Sequence, residues 1–274
     1  MRNCFQFILA TLITFQFYVV AAAQQPWEGK DYKQWSGKDA EKVLEQGPWT
    51  ATRSLTTMSI QQTRSTGSNN DAQNRDSQIE LIYTVQLYSA KPVREAFMRR
   101  AQNSPNYMKM TDDKRKQVDA NLQQFVEQNP GDIVVVHVSF KSLNSIAQQN
   151  ASLYWQQATL ERILNTTNLL TSDNQKVSPI AFTPALGDPN AFELQFPRTF
   201  NGKPVLEAGK KNLGLEFQVP TLTTSLTVQG IKGTGISSAA PATNIGGQSL
   251  NATTERVYFE FKSAKMSVNG ALEY

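Results

Sequence analysis

Four stretches of this chain alternate apolar and polar side chains with a period of two. Such segments fold as strands that bury one face and wet the other. In IELIYTVQLY, Ile79, Leu81, Tyr83, Val85 and Leu87 share a face, while Glu80, Thr84 and Gln86 point the opposite way. LGLEFQV repeats the pattern with Leu213, Leu215, Phe217 and Val219, leaving Glu216 on the wet side. AFELQF does so with Phe192, Leu194 and Phe196, and RVYFEF with Val257 and Phe259. DIVVVHVSF is apolar on both faces and reads as a central strand.

Helical signals are fewer. In YKQWSGKDAEKVLEQGPW, Ser36 and Asp39 form a capping-box pattern behind Trp35, and Gly47-Pro48 ends the helix. Two helices follow the strand at residue 79. Ser89 and Pro92 open AKPVREAFMRRAQ, where Val93, Phe97 and Ala101 share a side. Thr111 caps DDKRKQVDANLQQFVEQN, with Val118, Leu122, Phe125 and Val126 at helical spacing. ATLERILNTTNLLTSDNQKVSPIAF reads as a hairpin turning at SDNQ, with a helix in its first half as the alternative. Residues 61–78 hold hardly an apolar side chain, residues 229–254 are rich in Gly, Ser, Thr and Ala, and both are expected to be mobile loops.

The expected fold is mainly β or α+β, an antiparallel β-sandwich-like domain with an inserted helical pair and a short N-terminal helix. An open sheet covered by helices on one face is the alternative. In a third arrangement, the strands at 79 and 132 form a parallel crossover unit.

From Cys4 to Ala23 the chain carries no charge, and Arg2 precedes it. The small residues Ala21, Ala22 and Ala23 then lead into a polar sequence, as in a secretory signal peptide. Cleavage is expected between Ala23 and Gln24, leaving residues 24–274 as one domain without a transmembrane helix. An uncleaved anchor would put the body in the same place, outside the cytoplasm. Cys4 is the only cysteine, so the mature chain has no disulfide and must be stabilised by its core.

Several chemistries are excluded or disfavoured. His137 is the only histidine, which rules out zinc sites that need two. It falls within a strand, and no GxSxG elbow accompanies it, so a hydrogen-bonded histidine inside the sheet is expected. GIKGTGIS departs from phosphate-loop patterns. No cofactor and no metal are expected. Trp27, Trp35 and Trp49 cluster near the mature N-terminus with Tyr32; packing is favoured over sugar stacking.

The full chain carries a net charge of +4, too little to identify a nucleic-acid binder. Between Lys91 and Lys116, however, eight basic residues face three acids. Arg94, Arg99, Arg100, Lys109, Lys114, Arg115 and Lys116 form the candidate binding surface for an anionic envelope polymer, lipid headgroup or acidic protein.

Four blocks, WSGKDAEKVLEQGPW, YSAKPVREAF, FELQFPRTFNGKPVL and KMSVNGALEY, resemble those of uncharacterised exported proteins typical of acidobacteria. That resemblance implies an envelope or secreted protein, periplasmic or extracellular, and implies no catalytic residue. The expected function is a non-enzymatic binding or structural module of the envelope or exterior. The alternative is a secreted hydrolase using paired Asp/Glu carboxylates.

Overall fold

The computed structural model describes residues 25–57, 79–185, 187–208, 212–221 and 253–274. The expected cleavage point and the 61–78 loop lie outside the described residues. So does the 229–254 stretch, except for its last two residues, which begin a strand.

A helical turn α1 (Pro26–Gly29) leads to α2 (Gly37–Gln46), then to strands β1 (Thr50–Thr57) and β2 (Ile79–Leu87). The helices α3 (Lys91–Gln102), α4 (Pro105–Met108) and α5 (Asp112–Glu127) separate β2 from β3 (Ile133–Ser142). After α6 (Ser145–Gln156) and α7 (Leu160–Ile163) come β4 (Asn168–Leu170), β5 (Lys176–Val177), β6 (Ala181–Pro184) and β7 (Ala191–Pro197). The short strands β8 (Thr199–Phe200) and β9 (Lys203–Pro204) pair with each other before β10 (Leu213–Thr221) and β11 (Thr253–Phe261). A last ladder, β12 (Ser267–Val268) with β13 (Ala271–Leu272), closes the chain.

β1-β2-β3-β7-β6 form one sheet and β11-β10-β4-β5 another, with every pairing antiparallel. β3 is central in the first sheet, as its two apolar faces demand. Because β2 and β3 run antiparallel, the crossover arrangement is excluded. The chain is α+β; these pairings do not by themselves define a sandwich.

The dry faces of both sheets meet in one core. Tyr83 of β2 and Phe192 of β7 lie 5.8 and 6.0 Å from Phe217 of β10, edge to face. Trp155 of α6 stacks on Phe192 at 4.0 Å and donates its indole N–H to the Tyr83 hydroxyl. α6 is a helix that the sequence reading did not anticipate. The expected SDNQ hairpin is present as β4–β5, preceded by the helical turn α7.

The capping box of α2 forms as its spacing requires. Ser36 Oγ accepts from Asp39 N–H, and Asp39 accepts from Ser36 N–H. Lys30 bonds the Asp39 carboxylate at 2.7 Å; with the Ser36 N–H, it holds that carboxyl down at about 2. α2 ends at Gly47, whose extended backbone needs glycine because a Cβ there would lie 2.3 Å from the Val43 carbonyl oxygen.

Three local expectations need correction. α3 starts behind Ala90 without a side-chain cap, and the Ser89 hydroxyl is buried with no hydrogen-bond partner. Thr111 occupies the cap position of α5, but its side chain makes no capping bond. Glu216 sits on the outer side of β10 yet is buried, accepting from Asn168 and Lys176 at 3.0 and 2.6 Å.

Candidate functional site

The wet face of the first sheet is only partly covered. Strand register sets Gln86, His137, Glu193 and Thr183 side by side across β2, β3, β7 and β6. Thr84 and Ser139 form the next row, and Ile82 with Lys141 the one after. These residues floor a cleft of about 720 Å³, a size that suits a small molecule. The end of α2 contributes Leu44 and Glu45 to its rim, and α3 contributes Phe97 and Arg100. Pro184 at the end of β6, with Ala185 and Asp188 of the β6–β7 connection, closes the far side.

Local sequence explains how the floor is held. Gln86 donates its amide to the Leu44 carbonyl, and the Thr50 hydroxyl donates to that same oxygen, tying α2 to the sheet. Tyr88, just beyond β2, lies flat against His137 and receives Phe97 and Phe125 edge-on at 4.9 and 6.2 Å. Arg100 rests over the Phe97 ring at 4.5 Å. Burial pushes the Tyr88 phenol up from its ordinary range, and the negative charges of Glu193 and Asp188 add to this; Arg100 opposes it.

His137 is not the hydrogen-bonded histidine expected. Its Nδ1 is buried without a hydrogen-bond partner, 3.7 Å from Glu193 Oε1. A ring nitrogen so placed is an unmet polar group beside a carboxylate, at the bottom of an open cleft. Arg100, Lys141, Glu45 and Asp188 also line this cleft, and none of the ion pairs among the described residues joins them.

The seven basic residues singled out from sequence are not one surface. Arg94 is buried and donates to the carbonyls of Tyr88, Ser89 and Val126, joining β2, α3 and α5. Arg99 is half-buried and donates twice to the Trp35 carbonyl. Both guanidiniums direct their donors to backbone carbonyls and so hold neighbouring elements together. Arg115 pairs with Asp112 at 2.5 Å. Lys109, Lys114 and Lys116 remain exposed, and Arg100 faces the cleft.

The tryptophans pack. Trp27, Trp35 and Trp49 are buried; Trp49 donates to the Glu273 carbonyl, and Trp35 to those of Pro26 and Lys30. Among the described residues, no group of three or more His, Cys, Asp or Glu could hold a metal ion. Nor is any helix among them long and apolar enough to cross a membrane.

Glu193, Tyr88, Ser139 and Arg100 come together only through register and the return of α3, so composition and motif reading missed the cleft. One signal was present: each wet strand face carries hydroxyl, amide or charged groups instead of a run of lysines and glutamates. Comparisons of the chain with protein-family models, curated proteins and solved structures find no match.

Proposed function

We propose that this chain is an exported, non-enzymatic binding module whose site is the cleft on the wet face of β2, β3, β7 and β6. One observation carries the reading. A sheet face rich in hydrogen-bonding groups is left open between α2, α3 and the β6–β7 connection, with charges of both signs at its walls that no ion pair among the described residues joins. Export rests on the uncharged run from Cys4 to Ala23 and the small residues before Gln24.

Thermal-shift screening of the mature protein against polar metabolites and envelope sugars tests this. A Ser139→Trp variant fills the cleft floor. Compounds that stabilise the native protein should lose their effect on that variant. An identical response from both proteins would place binding elsewhere.

A secreted carboxylate hydrolase is the second reading, favoured by the three acids Glu45, Asp188 and Glu193 along one cleft. Turnover of a glycoside, abolished by Glu193→Gln with binding retained, would establish it over the binding module. The exposed Lys109, Lys114 and Lys116 support contact with an anionic polymer or headgroup as an accessory role.

A further inference from the structure

We infer that the cleft takes a small zwitterion of the α-amino-acid type, an inference that rests on the binding reading above. Arg100 lines the cleft where Phe97 and Tyr88 meet, and its guanidinium has no carboxylate partner among the described residues. Glu193 lies beside His137, with its side chain 35% exposed. Tyr88 links them: its ring meets Phe97, under Arg100, and stacks on His137, beside Glu193. A cleft lined by charges of both signs that are not paired with each other is complementary to a molecule carrying both. The ligand's carboxylate meets Arg100, and its ammonium meets Glu193.

The remaining geometry agrees with that orientation. The Tyr88 ring, stacked on His137, presents π density beside Glu193, which favours a cation there. Along the floor, Thr84 and Ser139 offer hydroxyls that either donate or accept, so the ligand's side chain is not confined to one polarity. Lys141 and Asp188 again present both signs beyond them. A neutral sugar would leave Arg100 and Glu193 desolvated without charge partners, and a simple anion would be repelled by Glu193, Asp188 and Glu45.

Calorimetric titration of the mature protein tests this with L-arginine, L-glutamate, L-leucine and L-phenylalanine. Each is compared with its N-acetyl and its amide derivative. At least one free amino acid should bind, and removing either charge should weaken it tenfold or more. In Glu193→Gln the penalty for N-acetylation should vanish while the penalty for amidation persists; Arg100→Gln should show the reverse. A general loss of structure cannot produce that crossed pattern. If no amino acid binds but a neutral or acidic sugar does, and Ser139→Trp blocks it, the zwitterion is overturned and the cleft stands. If nothing binds, both are overturned.

Discussion

The imidazole of His137 lies flat on the phenol ring of Tyr88, with centroids 4.3 Å apart and planes inclined by 4°. Neither residue belongs to the dry core, yet the pair anchors the end of β2 to the middle of β3. Stacked aromatic pairs contribute about 0.5–1.5 kcal/mol beyond the area they bury. A double-mutant cycle with Tyr88→Leu and His137→Asn should therefore give a coupling of about 0.5–1 kcal/mol in urea melts. Additive single effects would mean that the rings are merely adjacent.

Glu216 and Phe217 are neighbours on β10 that face opposite ways, and both are buried. Phe217→Ala removes a ring that touches Tyr83, Trp155, Phe192 and Phe259, and should cost about 3–5 kcal/mol. Glu216→Ala leaves Asn168, Lys176 and Arg256 without their shared acceptor. The two cations are more than half exposed and recover water, so the cost should be about 1–2 kcal/mol. Burial pushes the Glu216 carboxyl up, but the bonds from Lys176 and Asn168 outweigh it and leave the group below its ordinary value. Its contribution is present above the unfolded carboxylate range and is lost as pH falls through the folded value. Equal denaturant midpoints for Glu216→Ala and native protein at neutral pH would refute this account.

The dry strand faces, the central position of β3 and the ends of α2 were legible in sequence because each depends on near neighbours. Alternation cannot reveal that Glu216 is buried, since Asn168, Lys176 and Arg256 arrive from three other strands. Arg94 reads as surface charge because the carbonyls it satisfies belong to the β2–α3 junction and the end of α5. α6 was missed for a different reason. Its buried Ala147, Ala151 and Trp155 recur every four residues, but Gln and Asn between them mask the period. The cleft itself needs the register of four strands, which no local pattern encodes.

Buried Arg94 and exposed Lys114 separate structure from surface charge. Arg94→Gln strands the carbonyls of Ser89, Tyr88 and Val126 and should cost about 2–3 kcal/mol. Replacing Lys109, Lys114 and Lys116 together by Gln should change stability by less than about 0.5 kcal/mol. That triple variant should also lose any salt-sensitive co-sedimentation with anionic vesicles, each lysine contributing at most about 1 kcal/mol. Binding that ignores salt, or that neutral vesicles match, would remove the accessory role.

Glu95 gives the last prediction, through its pH dependence. It lies on α3 in a hollow shared with Asp31, Tyr32 and Glu273, with Lys91 at 3.8 Å. Burial raises its carboxyl to about 7, opposed by Lys91 and Arg94 and reinforced by the charges of Glu273 and Asp31. A carboxyl raised in the folded state holds its proton where the unfolded chain has released it. Stability therefore falls as pH rises from the unfolded value near 4.5 to about 7, and stays reduced above that. Glu95→Gln cannot ionise, so its melting temperature should exceed that of the native protein at pH 8 and match it near pH 4. The difference should open between those limits. A gap that is constant with pH, or that widens on acidification, would show that Glu95 is ionised in the fold and held by Lys91.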